Sequence, residues 1–298
     1  MLCFVMSTTA GSTPPAEATW RELIEEARLS LKSQQEARWI AEDVVASSSR
    51  EINLDAVPDS SQRGRFFEFV ASRVRGDPLQ LVLGHWSFRS LDLLVDRRAL
   101  IPRPETEVLV EVALEELSEL QHVSSFPLVV DLGTGSGAVA CALVAENGSV
   151  HVFATDRSED ALALAELNRK RLPESAARRI EFRRGDWFDA LDADLERHVS
   201  LVVSNPPYIA RAEWQDLEQT VRDFDPEPAL VAGETGTEAI DAILGGAGRW
   251  LDSSGAVVLE IAPPQAAGVR AMARRHGARH VELRRDLTGR DRVLVARW

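Results

Sequence analysis

The 298-residue chain reads as an α/β protein, a doubly wound and mostly parallel seven-stranded sheet with a small helical domain ahead of it. The sheet follows from alternation. Short apolar runs at Leu128–Asp131, His151–Thr155, Ile180–Arg183, Leu201–Ser204, Ala256–Glu260, Val281–Leu283 and Val293–Ala296 are mostly spaced by helical stretches, as right-handed strand–helix crossovers require. The helical domain follows from apolar stripes at helical spacing between residues 17 and 77, and the break at "RGDP", Arg75–Pro78, sets its boundary.

In that first domain, Thr19 and Glu22 have capping-box spacing, and Trp20, Leu23, Ile24, Ala27 and Leu31 follow as one stripe. A second stripe is Ala37, Ile40, Ala41, Val44 and Val45. A third helix is expected to begin near Asp59 and to carry Phe66, Phe67, Val70 and Val74, as packing rather than as a cofactor box. From Leu79 to Val95 the pattern is that of a short extended hairpin. The prolines of "IPRPETE", Ile101–Glu107, hold off helix until Glu105; Val108, Leu109, Val112, Ala113 and Leu117 then make an amphipathic one. The last two strands are joined only by "RRDLTGRDR" and are expected to pair antiparallel at one edge.

Composition narrows the function classes. An apolar fraction of 45% with 27% charged residues is ordinary for a soluble globular chain. No apolar run approaches the roughly 20 residues of a membrane span, and "MLCFVM" lacks the basic start and the length of a signal peptide. Met6 offers an alternative start, followed by a mobile tail to residue 16, and a cytoplasmic monomer is expected. Cys3 and Cys141 make neither a disulfide framework nor a metal cluster, and the six histidines show no ligand spacing, so no metal site is expected. A formal charge of −13 argues against broad binding to phosphate backbones.

The chemistry-bearing motifs sit where strands end. In "VVDLGTGSGAVA" a glycine turn, Gly133-Thr134-Gly135-Ser136-Gly137, joins a strand to a helix and lets backbone approach a ligand without a Cβ. Asp156 ends the next strand, where a carboxylate can accept from both ribose hydroxyls. Asp186 and Trp187, in "GDWF" after the third, suit an adenine amino group and ring. S-adenosylmethionine fits this set better than NAD: the spacing is GxGxG, not the dinucleotide GxGxxG, and no Walker A loop is present.

The fourth strand delivers "SNPPY". Asn205 carries an acceptor and two donors, while Pro206 and Pro207 fix the directions of neighbouring carbonyls. An incoming –NH2 can donate one hydrogen to the Asn205 side chain and one to the Pro206 carbonyl, with Tyr208, the only tyrosine, as a flat wall. Such a pocket orients a poorly nucleophilic amide or aniline-like nitrogen at about 3–3.5 Å from a methyl donor.

With these residues assembled, the chain resembles the release-factor glutamine methyltransferases, the PrmC/HemK family, over most of its length. "DPLQLVLGHWSF", "LIPRPETE", "VVDLGTGSGAVA", "GDWFDAL", "SNPPYIA", "FDPEPALVAGETGTEAI", "LEIAPPQ" and "DLTGRDRVLVAR" occur in the family's order; the family usually has Gly where this chain has Ala262. The resemblance implies a Rossmann-like class I methyltransferase domain at 105–298, a cofactor-crevice hairpin at 78–104 and a substrate-recognition domain at 17–77. It implies that Gly133 to Gly137, Asp156 and Trp187 bind S-adenosylmethionine, and that Asn205, Pro206, Pro207 and Tyr208 hold the glutamine of the Gly-Gly-Gln loop of class I peptide chain release factors. Phe88 and Arg103–Glu107 would wall the crevice.

Two other readings use the same residues. A methyltransferase of base amino groups in nucleic acid shares the "NPPY" pocket, but the acidic charge and lack of a basic recognition domain stand against it. A non-catalytic module binding a release factor or cofactor would not need the glycine turn, Asp156 and "NPPY" all intact.

Overall fold

The structure, a computed structural model, describes residues 17–46, 51–120 and 126–298; Cys3, Met6 and the expected tail lie outside them. The chain divides into two compact units between Leu83 and Gly84.

The first unit holds helices α1 (Trp20–Leu31), α2 (Gln34–Ala46), α3 (Ser60–Val74) and α4 (Leu79–Leu83). α1 starts with a capping box in which Glu22 Oε2 accepts from the Thr19 amide at 2.8 Å. α3 starts on Asp59, whose side chain accepts from the Gln62 amide at 2.8 Å. The expected stripes of α1 and α2 are buried, except that Leu31 is half-buried. Phe66 meets Trp20 edge-on, with ring centroids 5.6 Å apart. Val74, expected on the apolar stripe, is exposed at the end of α3. Leu79–Leu83, expected to be extended, is helical instead. The Pro78 carbonyl accepts from the amides of Leu81 and Val82 and closes a turn, and a short apolar run does not by its pattern distinguish strand from helix.

The second unit opens with the hairpin β1 (His85–Phe88) and β2 (Leu91–Leu94), then α5 (Pro104–Leu120). α5 begins on Pro104, one residue before the expected start, because proline is tolerated at the first helical position where no amide is needed. There follow β3 (Leu128–Leu132), α6 (Ala138–Glu146), β4 (His151–Asp156), α7 (Glu159–Arg169), α8 (Glu174–Ala177), β5 (Ile180–Arg184), β6 (Val199–Ser204) and the short β7 (Ile209–Ala210). α9 (Gln219–Phe224), α10 (Glu227–Leu230), β8 (Val231–Gly233), α11 (Glu238–Trp250), β9 (Leu251–Glu260), α12 (Ala266–Arg275), β10 (His280–Arg285) and β11 (Asp291–Arg297) complete it.

Seven of these strands form one sheet in the order β10-β11-β9-β6-β3-β4-β5. The seven strands expected for this sheet are all present, and β10 and β11 pair antiparallel as expected. β9, β6, β3, β4 and β5 run parallel. Successive side chains on a strand point to opposite faces, and the two cores follow from that. Leu201, Val203, Ala256 and Val258 meet α5 and α6 on one face, while Val202, Val257 and Leu259 meet α11 and α12 on the other. With both faces covered, β6 is buried along its whole length, which is why it reads as an unbroken apolar run. Strand order reverses between β3 and β6, so their carboxyl ends open the crevice in which such sheets bind ligands.

Candidate functional site

A cavity of about 360 Å³ lies over those strand ends, within the usual range for a small-molecule site. The turn after β3 forms its floor. Gly133, Gly135 and Gly137 have φ of 69°, 56° and 79°, conformations that L side chains rarely adopt. A Cβ on Gly137 would also stand 3.0 Å from the Cβ of Ala165, so glycine there lets α6 pack close to α7. The Thr134 amide donates to the Thr155 carbonyl at 2.9 Å, tying the turn to the end of β4.

Asp156 stands beside the turn, its Oδ2 accepting from the Gly135 amide at 2.9 Å and its Oδ1 from the Ser158 amide at 2.8 Å. Asp186 lines the cavity with no capping bond to its side chain. Trp187 adopts φ 46° and lays its ring 3.6 Å from where a Gly133 Cβ would be. Deeper in, Asp131 accepts from Thr134 Oγ1 at 2.6 Å, and burial pushes its carboxyl up to about 7.

Ser204, the last residue of β6, donates to the Leu132 carbonyl at 2.6 Å, which joins β6 to β3 at the crevice. Asn205 follows and faces the cavity together with Pro207. Its Nδ2 donates to Thr106 Oγ1 at 3.1 Å, and Thr106 Oγ1 donates to Glu260 Oε2 at 2.8 Å. The Tyr208 carbonyl accepts from Gln265 Nε2 at 2.9 Å, as does the carbonyl of Gly236. Burial, then the nearby Glu260, pushes the Tyr208 phenol up to about 12, so at neutral pH the ring is uncharged and is not a base.

The structure thus brings Gly133, Thr134, Gly135, Ser136, Asp156, Asp186, Trp187, Asn205 and Pro207 onto one cavity, with Arg103 and Thr106 from the "IPRPETE" segment. Gly137, Pro206 and Tyr208 adjoin these in sequence without lining it. Phe88, expected in the crevice wall, is 1% exposed and packed in the core with Leu93 and Leu109, so its role is to seat the hairpin. Ala262 has φ −72° and ψ 136°, extended backbone that alanine adopts without strain, so the departure from glycine leaves the loop undistorted.

Glu260 carried no expectation from the sequence, although it lies in a quoted motif and ends an apolar strand, as Asp156 does; Thr106 belongs to the Arg103–Glu107 segment expected to wall the crevice and lines the cavity, but its bond to Glu260 was not foreseen. The opposite wall was also missed as a wall. It consists of Pro226, Pro228, Ala229, Val231 and Ala232, and three arginines hold its loop: Arg103 pairs with Asp225, Arg157 Nη2 donates to the Pro228 carbonyl at 3.2 Å, and Arg97 covers the Phe224 ring at 4.5 Å.

Sheet order, glycine turn and strand-end acid together define a class I methyltransferase fold. A methyltransferase small domain model matches residues 108–224. Among solved structures, the catalytic domain of hMettl16 in complex with a 3′UTR hairpin superposes with a TM-score of 0.54 over 88% of this chain and 90% of that one, at 14% identity. The relatives in sequence are more specific. A release factor glutamine methyltransferase of Nitratidesulfovibrio vulgaris is 37% identical over 292 residues, 95% of this chain and 96% of its own. One from Burkholderia pseudomallei is 37% identical over 286 residues, 95% and 97% of the two chains, and one from Pseudomonas aeruginosa 43% over 234 residues, 78% and 80%. The chain belongs to the release factor glutamine methyltransferase family.

Proposed function

We propose that this chain transfers the methyl group of S-adenosylmethionine to the side-chain amide nitrogen of the glutamine in the Gly-Gly-Gln motif of class I peptide chain release factors. The observation that carries the reading is the orientation of Asn205. Its amide nitrogen is committed to Thr106, which turns the carbonyl oxygen away from that partner as an acceptor for an incoming –NH2 group.

The residues fit the cofactor on their own geometry: a cavity of about 360 Å³, a turn with three left-handed glycines that carry no Cβ, and a carboxylate fixed by two backbone amides at its edge. Each oxygen of Asp156 keeps a lone pair with which to accept from a ribose hydroxyl. Asp186 would accept from the adenine amino group and Trp187 would pack on the ring. Bound there, S-adenosylmethionine supplies an electrophilic sulfonium methyl, so the chemistry asks for neither a metal nor a strong base.

The rest is positioning. Asn205 Oδ1 and the Pro206 carbonyl accept the two amide hydrogens, Pro207 and Tyr208 complete the wall, and the nitrogen lone pair is aimed along the line of transfer. The nitrogen would gain the methyl group as the methyl–sulfur bond breaks, its electron pair staying on sulfur as the neutral thioether, and one amide proton would pass to water. The partner is the release factor itself, met by a monomer in the cytoplasm, with residues 17–77 engaging the parts beyond the glutamine loop.

The test is transfer of a labelled methyl group from S-adenosylmethionine to a purified class I release factor, beside its Gly-Gly-Ala variant and duplex DNA. Label on the wild-type factor alone is expected. Label on the Gly-Gly-Ala variant, or on DNA and not the factor, overturns the reading.

A further inference from the structure

The reading above makes Asn205 the acceptor for the substrate amide, and what decides which atom Asn205 presents lies behind it. Glu260 is the last residue of β9 and 1% exposed; Thr106, in the first turn of α5, is 3% exposed. They are 154 residues apart in sequence, yet Thr106 Oγ1 donates to Glu260 Oε2 at 2.8 Å and accepts from Asn205 Nδ2 at 3.1 Å.

A hydroxyl has one proton to give. While that proton goes to an ionised Glu260, the oxygen of Thr106 can only accept, so the end of Asn205 facing it must be the –NH2. The Oδ1 atom is then the one turned from Thr106. When Glu260 carries a proton, the chain of donors can reverse. The carboxyl donates to Thr106 Oγ1, the Thr106 proton turns to Asn205, and the amide flips to place Oδ1 on it. The atoms then left for the substrate are donors, opposed to the two hydrogens of an incoming –NH2.

We infer that Thr106 and Glu260 are positioning residues for the methyl transfer: ionised Glu260, acting through the Thr106 hydroxyl, locks the Asn205 amide in the orientation that accepts the substrate glutamine, and protonation of Glu260 releases it. This rests on the assignment of Asn205 as the amide acceptor. The groups facing Glu260 are Arg292 on β11, itself paired with Asp286, Arg103 and Glu105 at the head of α5, and Tyr208 on the loop after β6. Burial raises the carboxyl to about 7, while the Thr106 hydroxyl and then Arg292 work in the opposite direction. Tyr208 stays neutral, and burial places the charge change of Glu260 near neutrality. The competent form is the ionised one, so transfer falls as pH drops through about 7.

The experiment measures single-turnover methyl transfer to the release factor from pH 6 to 9, with cofactor affinity measured in parallel, for wild type, Thr106→Val, Thr106→Ser, Glu260→Gln and Asn205→Ala. Thr106→Val keeps the shape and removes the hydroxyl; it should slow transfer about 10- to 100-fold with cofactor affinity within about threefold. Thr106→Ser restores the hydroxyl and should return the rate to within about threefold of wild type. Cofactor is kept saturating, so that titration of Asp131 beside the glycine turn acts on binding and not on the rate; the wild-type rate should then decline on the acid side, and Glu260→Gln, which has no carboxyl at that position, should lose that limb. Thr106→Val as fast as wild type, or an acid limb kept in Glu260→Gln, overturns the relay. If either result comes with Asn205→Ala inactive, the relay alone fails; an Asn205→Ala as active as wild type removes the underlying reading as well.

Discussion

Asp156 has two oxygens, and the protein engages one lone pair on each, through the amides of Gly135 and Ser158. In the proposed cofactor site the carboxylate is therefore already aimed for a ribose diol, and hydrogen bonds to a charged acceptor are worth about 1.5–3 kcal/mol each. Asp156→Ala removes both the acceptors and the support of the glycine turn. Calorimetric titration should show S-adenosylmethionine affinity lower by about 10- to 100-fold, and unchanged affinity would remove Asp156 from the site. At this scale the sequence was legible where a backbone motif carries the residue: the glycine turn, the acid at the next strand end and "NPPY" each announce themselves within a few positions. Thr106, Glu260 and Gln265 did not. Each acts on a residue tens of positions away or more, and nothing local to a threonine in "IPRPETE" says that its hydroxyl will meet the end of β9.

Among the elements, α7 shows how helices and hairpin are fixed to the turn. Asn168 on α7 is 0% exposed. Its Oδ1 accepts from the Leu94 amide at 2.7 Å, and its Nδ2 donates to the carbonyls of Leu94 and Ser136 at 3.1 and 2.9 Å. One side chain thus holds the exit of β2 and the glycine turn together. Asn168→Ala leaves those buried groups unpaired at about 1–3 kcal/mol each. The urea midpoint should fall by the equivalent of at least about 2 kcal/mol, and a midpoint equal to wild type would show that the tie carries no stability. Strand positions were legible because buried parallel strands read as apolar runs; α4 was not, because five residues are too few for a period to show. The wall after Phe224 was visible as a motif, but not its attachment, which depends on Arg97, Arg103 and Arg157 from distant segments.

For the whole molecule, two buried acids govern part of the pH response. Burial raises Asp131 and Glu260 from ordinary carboxylate values to about 7. Between the unfolded and folded values the native chain holds protons that the unfolded chain has released. The stability these groups contribute is therefore full below about pH 4 and is lost as pH rises through about 7. Asp131→Asn has no proton to lose, so its melting temperature relative to wild type should improve steadily from about pH 5 to about pH 8. A gap that stays constant across that range would show that Asp131 does not titrate there. Acids held low, such as Asp96 and Glu166 with their arginine partners, act in the opposite direction at lower pH, which is why the comparison is with the variant and not the raw curve. Among the described residues no helix is long and apolar enough to cross a membrane.

Asn205 is proposed to hold the amide that receives the methyl group, and the single-turnover rate of Asn205→Ala on a class I release factor, with S-adenosylmethionine affinity measured on the same preparation, tests this directly. The expected rate is lower by about 100-fold or more with cofactor affinity within a few-fold of wild type. A variant that methylates the glutamine at close to the wild-type rate would contradict it.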